Sequence, residues 1–119
     1  MIDDLSIEDV CKLALKHRLY VPGWSMHDYF TRYLKGHVHL QRAALYYVDG
    51  IPVGAAFVQS NNAMQCFVRK NMRRQKIGSK LIEHLRNSLD GDKYDRVHAG
   101  IGLKAGSGAF WRSNKVVIA

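Results

Sequence analysis

Six cations fall within twelve residues, at Arg69, Lys70, Arg73, Arg74, Lys76 and Lys80, with no acidic residue among them. Such a run attracts an anion, and nucleic acid, an acidic membrane surface and a phosphorylated small molecule all meet that need. The neighbouring residues narrow the choice. Met64–Val68 is an apolar run of strand character, while Ile77, Leu81, Ile82, Leu85 and Leu89 recur at helical spacing, so the cations occupy a strand-to-helix loop. A helix starting near Gln75 to Ile77 leaves its first amides without intrahelical acceptors, and its macrodipole adds partial positive charge there. Gly78 has no side chain to keep a ligand off the backbone, and the flanking Arg and Lys side chains neutralise further phosphate charge. The junction predicts a cradle for a pyrophosphate.

The elements around it read as one α/β unit. Ser6 and Asp9 form a capping box ahead of Ile7, Val10, Cys11, Ala14 and Leu15, which predicts a first helix over about residues 6–18. Pro22-Gly23 breaks the chain, Ser25 caps a second helix carrying Tyr29, Phe30, Tyr33 and Leu34, and Gly36 ends it. Asp49-Gly50 between two apolar runs predicts a β-hairpin, with Pro52 at the start of its second strand. Met64–Val68 pairs with the hairpin. After the helix that begins near Ile77, residues 96–101 predict a strand, 107–113 a short helix and 115–118 a last strand. Strand, loop, helix and strand added to a hairpin make a mixed α/β sandwich. No repeat or linker divides the chain, so residues 1–119 form a single domain.

At the loop the sequence resembles the GNAT superfamily of N-acetyltransferases, whose pyrophosphate loop reads Arg/Gln-x-x-Gly-x-Gly/Ala. Arg73-Arg74-Gln75-Lys76-Ile77-Gly78-Ser79 occupies that frame: Arg73 and Gly78 match, and Lys76 stands where the first glycine would be. Ala109-Phe110-Trp111 looks like the family's helix beside the pantetheine arm. The resemblance implies a mostly antiparallel GNAT-like sheet flanked by helices, with shortened strands at both ends of the chain. It also implies acetyl-CoA as co-substrate and transfer of the acetyl group to an amine of a small molecule or protein. Cys66, Phe67 and Val68 would offer main-chain hydrogen bonds to the thioester and pantetheine, Arg73, Arg74, Gln75, Lys76, Ile77, Gly78 and Ser79 would hold the pyrophosphate, and Phe110 would flank the arm.

No catalytic acid or base is assigned. Trp111 occupies the place of the family's frequent tyrosine, and an indole does not deliver a proton at useful pH. Tyr94, Ser107 and Ser113 are substitutes for that acid, and Asp28, Glu83 and His98 are candidates for the base, each also explicable as a capping, packing or surface residue. Tyr29, Phe30, Tyr33, Tyr46 and Tyr47 either line an acceptor pocket or fill the core. His37-x-His39 lacks further ligands at metal-site spacing, so no metal is expected.

Cys11 and Cys66, far apart and in apolar settings, read as buried thiols. No apolar run reaches membrane-spanning length, and the acidic start Met1-Ile2-Asp3-Asp4 is unlike a secretory signal, which points to a cytoplasmic protein without a membrane partner. The runner-up reading is a lapsed GNAT-like binding module whose net charge of +8 holds a nucleic acid or an acidic protein. The brief C-terminal end leaves an open sheet edge for a second copy of the chain to cover.

Overall fold

In the computed structural model, residues 1–2, 5–23, 25–73, 75–89, 98–99, 110–112, 114 and 116–118 are described. The first helix, α1 (Ile7–Lys16), begins as the sequence indicates: Ser6 Oγ accepts from the Asp9 amide at 3.1 Å. It ends two residues before the expected Arg18, because Arg18 turns left-handed (φ 54°) and lets the Leu19 amide return to Ala14 O at 2.9 Å. Helix α2 (Ser25–Leu34) closes in the same way. Gly36 at φ 75° takes the left-handed position, and the His37 amide bonds Arg32 O at 2.9 Å. Ser25 is the first residue of α2 rather than its cap, and its hydroxyl donates across to Gln65 Oε1 at 2.8 Å.

Three antiparallel strands carry most of the sheet: β1 (Leu40–Val48), β2 (Ile51–Gln59) and β3 (Ala63–Val68). Asp49 and Gly50 both adopt positive φ (53° and 77°), the requirement of the two-residue turn expected there. Helix α3 (Ile77–Asn87) then crosses over, and β4 (His98–Ala99) pairs parallel to β3, with β5 (Val117–Ile118) parallel to β4. At the other side of the sheet, Ile2 makes an antiparallel bridge to Tyr46, and the Tyr47 amide donates to Met1 O at 2.8 Å. The short strands expected near both ends are therefore a single bridge and two-residue pairings.

The sheet is covered on both faces. Alternation along the strands sends Leu45, Ala55 and Phe57 toward α1 and α2, where they meet Val10, Cys11, Ala14 and Phe30. It sends Ala44, Ala56, Val58 and Met64 toward α3, where they meet Ile77, Leu81, Ile82, Leu85 and Trp111. Each fully buried leucine or isoleucine of this kind contributes about 1.5–3 kcal/mol. The aromatic set divides between the faces: Tyr29, Phe30, Tyr33 and Tyr47 pack on the α1/α2 side, while Tyr46 lies on the α3 side. It therefore does not line one acceptor pocket. Cys11 and Cys66 are free thiols in different layers; Cys11 is buried as expected, whereas Cys66 is half-buried.

Gly54, in the middle of β2, sets the depth of α3. A Cβ there would lie 3.2 Å from Leu81 Cδ1, 3.3 Å from Ile77 Cγ2 and 3.3 Å from the carbonyl oxygen of Phe67. The absent side chain thus lets the first turns of α3 settle onto the sheet. Gly54→Val should destabilise the fold by about 1–3 kcal/mol through overpacking, read as a lower urea midpoint; a change within about 0.5 kcal/mol would show that α3 is not held by this contact.

Candidate functional site

The site is assembled where β3 ends and α3 begins. The Arg69 amide extends the β2–β3 ladder by bonding Val53 O at 2.9 Å. Opposed residues in an antiparallel pair alternate between bonded and non-bonded, so this contact fixes the orientation of the strand's peptide groups. Phe67 and Gln65, opposite Ala55 and Phe57, turn theirs toward β2. Cys66 and Val68 turn theirs to the opposite edge, the one that β4 joins at Ala63 and Met64. The resemblance implies main-chain hydrogen bonds from Cys66, Phe67 and Val68; the register turns the Phe67 amide toward β2, and its ring packs with the α1/α2 layer. Val68 O is already engaged, accepting from Arg73 Nε at 3.0 Å.

Beyond Val68 the chain makes a single 3-10 turn at Lys70–Met72 and reaches α3 through Lys76, which is left-handed (φ 59°, ψ 21°). This is the position where the resembling loop carries glycine, and the backbone shows why glycine suits it: the left-handed region costs any other residue about 1–2 kcal/mol. Lys76 offers no side-chain cap, and the first amide of the helix to be bonded is that of Lys80, to Lys76 O at 3.0 Å. Among the described residues none accepts from the amides of Ile77, Gly78 or Ser79. An eleven-residue helix thus presents its positive end with free donors.

Gln75 and Lys76 are exposed, Ser79 is half-buried and Ile77 is buried in the core beneath α3. Gly78 is different from expectation. It is buried, and a Cβ there would come within 2.8 Å of Phe110 Cε1 and 3.0 Å of Phe110 Cζ. Its missing side chain makes room for an aromatic ring of the same chain rather than for a ligand. Phe110, stacked edge-on against Trp111 at 5.0 Å, sits against the start of α3. Trp111 is 4% exposed and belongs to the core beneath α3.

The cations divide by role. Arg69 Nη2 donates to His17 O at 2.9 Å, satisfying a carbonyl at the end of α1. Lys80 Nζ donates to Tyr46 OH at 3.5 Å and lies 5.7 Å from its ring centroid. Lys70, Arg73 and Lys76 are exposed, and none has a carboxylate partner among the described residues. The ion pairs described, Lys12–Glu8 and Arg32–Asp28, lie on α1 and α2. Arg74 lies outside the described residues.

No acid or base converges on this junction among the described side chains. Asp28 is paired with Arg32, Glu83 is exposed on α3, and Tyr94, Ser107, Ser113 and the side chain of His98 lie outside the described residues. Burial pushes the Cys66 thiol up to about 12, and that of Cys11 likewise, so neither is a thiolate nucleophile near neutrality. The described residues hold no cluster of His, Cys, Asp or Glu fit for a metal ion, and no helix among them is long and apolar enough to cross a membrane. The open hollow of about 330 Å³ lined by Glu8, Tyr33, Leu34, Gly36 and Val38 involves none of the β3 or α3 residues of the site.

In a double-mutant cycle, Gly78→Ala and Phe110→Leu should couple by about 0.5–3 kcal/mol, because the alanine methyl is tolerated only once the ring is gone; additive effects would show that the ring does not rest on Gly78. No protein-family model matches the chain, and no curated protein matches it.

Proposed function

We propose that the chain is an N-acetyltransferase with a GNAT-like fold, using acetyl-CoA as co-substrate and an amine as acceptor. One observation carries the reading: two sets of main-chain donors meet at one place. The amides of Ile77, Gly78 and Ser79 stand at the positive end of α3, and the outward peptide groups of Cys66 and Val68 lie on the strand that leads into it. The element order supports it too, with a hairpin, a third antiparallel strand, a crossover helix and a parallel strand.

The two donor sets suit the two ends of one extended ligand. Amides at a helix start, with Arg73 and Lys76 beside them, suit a pyrophosphate. Outward amides on a strand edge suit a carbonyl and an amide-bearing arm, and the Cys66 or Val68 N–H would polarise the thioester oxygen. CoA supplies the activated acetyl group. In the transfer the amine nitrogen bonds the acetyl carbon, the carbon–sulfur bond breaks, the nitrogen loses a proton and the departing sulfur gains one. The chain's contribution is chiefly to hold the reactants in line. With Phe110 over Gly78, the ligand's place is beside the ring, along Gln75, Lys76 and Ser79.

Calorimetry and thermal melting with acetyl-CoA test this. At 100 times the dissociation constant the ligand should stabilise the fold by about 2.7 kcal/mol. Arg73→Glu should weaken binding by about tenfold or more, whereas Lys35→Glu, an equal change of net charge at the end of α2, should change it less than about twofold. Neither heat nor stabilisation at millimolar acetyl-CoA would remove the assignment.

A further inference from the structure

The fold creates a basic surface that the sequence does not display as one. Lys16 and Arg18 stand more than fifty residues from Lys70, Arg73 and Lys76 in sequence, yet Arg69 Nη2 donates to His17 O at 2.9 Å and so brings the two segments together. The left-handed turn at Arg18 that ends α1 keeps its side chain exposed, and Lys16, Lys70, Arg73 and Lys76 are exposed as well.

These five charges have little local opposition. Of the described acids, Glu8 and Asp9 occupy the first turn of α1, about two turns from Lys16 along the helix. Asp28 is paired with Arg32, Glu83 is on α3 beyond Lys80, and Asp49 is in the hairpin turn. The clasp contributes in its own right, because the Arg69 guanidinium occupies a carbonyl at the negative end of α1.

We infer that this joined surface docks the phosphate backbone of a nucleic-acid duplex. Charge complementarity selects a polyanion, and the rest of the surface selects which. An acidic protein partner would call for a buried apolar or aromatic anchor, and a lipid surface for apolar side chains that insert. The exposed large apolar residues described are Met1, Leu34 and Ile51, none of which belongs to either basic segment. Single strands are gripped by stacking bases on exposed aromatic rings, and among the described residues no Phe, Tyr or Trp is exposed. Phosphates need only long cationic side chains, which is what the surface offers.

The test uses the full chain and a fluorescein-labelled duplex of mixed sequence, about two helical turns long, with anisotropy followed across a KCl series, with and without acetyl-CoA. Neutralising about five phosphates gives a slope of log K against log salt of about −4 to −5. Lys16→Glu and Lys70→Glu should each weaken binding by about tenfold and flatten the slope by about 1. Lys35→Glu follows α2 much as Lys16→Glu ends α1, and should change affinity less than about twofold. Equal losses from Lys35→Glu and Lys16→Glu, a flat salt response, or tighter binding to polyglutamate or to anionic vesicles would overturn the inference. Because Lys16 and Lys70 lie outside the proposed cofactor contacts, loss of duplex binding with acetyl-CoA binding intact would leave the transferase reading standing, and the reverse result would leave this one.

Discussion

The geometry of the candidate site depends on how closely α3 approaches the sheet. Gly54 has no side chain under Ile77 and Leu81, so the first turns of the helix lie directly on β2 beside the end of β3. That approach brings the free amides of Ile77, Gly78 and Ser79 next to the outward peptide groups of Cys66 and Val68. Burial of Leu81, Ile82 and Leu85 holds the arrangement, and polar clasps between layers supplement it. Arg42 Nε reaches Ser88 O at 3.3 Å near the far end of α3, and Arg86 Nη1 reaches Asn114 O at 2.9 Å.

Glycine has a different purpose at each of the positions that matter. Gly54 admits a helix, Gly50 admits a turn, and Gly78 admits the Phe110 ring. Where the left-handed backbone would favour glycine at the mouth of the loop, the chain has Lys76 and bears the strain. In exchange it gains an exposed cation beside the helix start. The loop is thus more basic and less relaxed than the glycine-rich form it resembles.

The local elements were legible because their signals are local. Ser6 and Asp9, Asp49-Gly50 and the stripe Ile77, Leu81, Ile82, Leu85 each predict an element from adjacent residues, and each element is present. Signals that depend on tertiary contact were not legible. Nothing near Arg18 announces that it would take a glycine-like conformation, and nothing near Arg69 announces that its partner is fifty-two residues away at His17. The basic strand-to-helix junction was legible from its composition, but the orientation of Phe67 follows from its register against Ala55, which composition does not encode. Gly78 reads in sequence as room for a ligand, because a missing side chain looks the same whether a ligand or a ring fills the space.

Amide chemical shifts of the isotopically labelled chain during titration with acetyl-CoA test the central claim most directly, since the claim concerns named N–H groups. The account predicts that the resonances of Ile77, Gly78 and Ser79 move together with those of Cys66 and Val68, while those of Phe67, which faces β2, and of Leu34 to Gly36, at the end of α2, stay in place. Saturable shifts confined to other residues, or none at millimolar ligand, would contradict it.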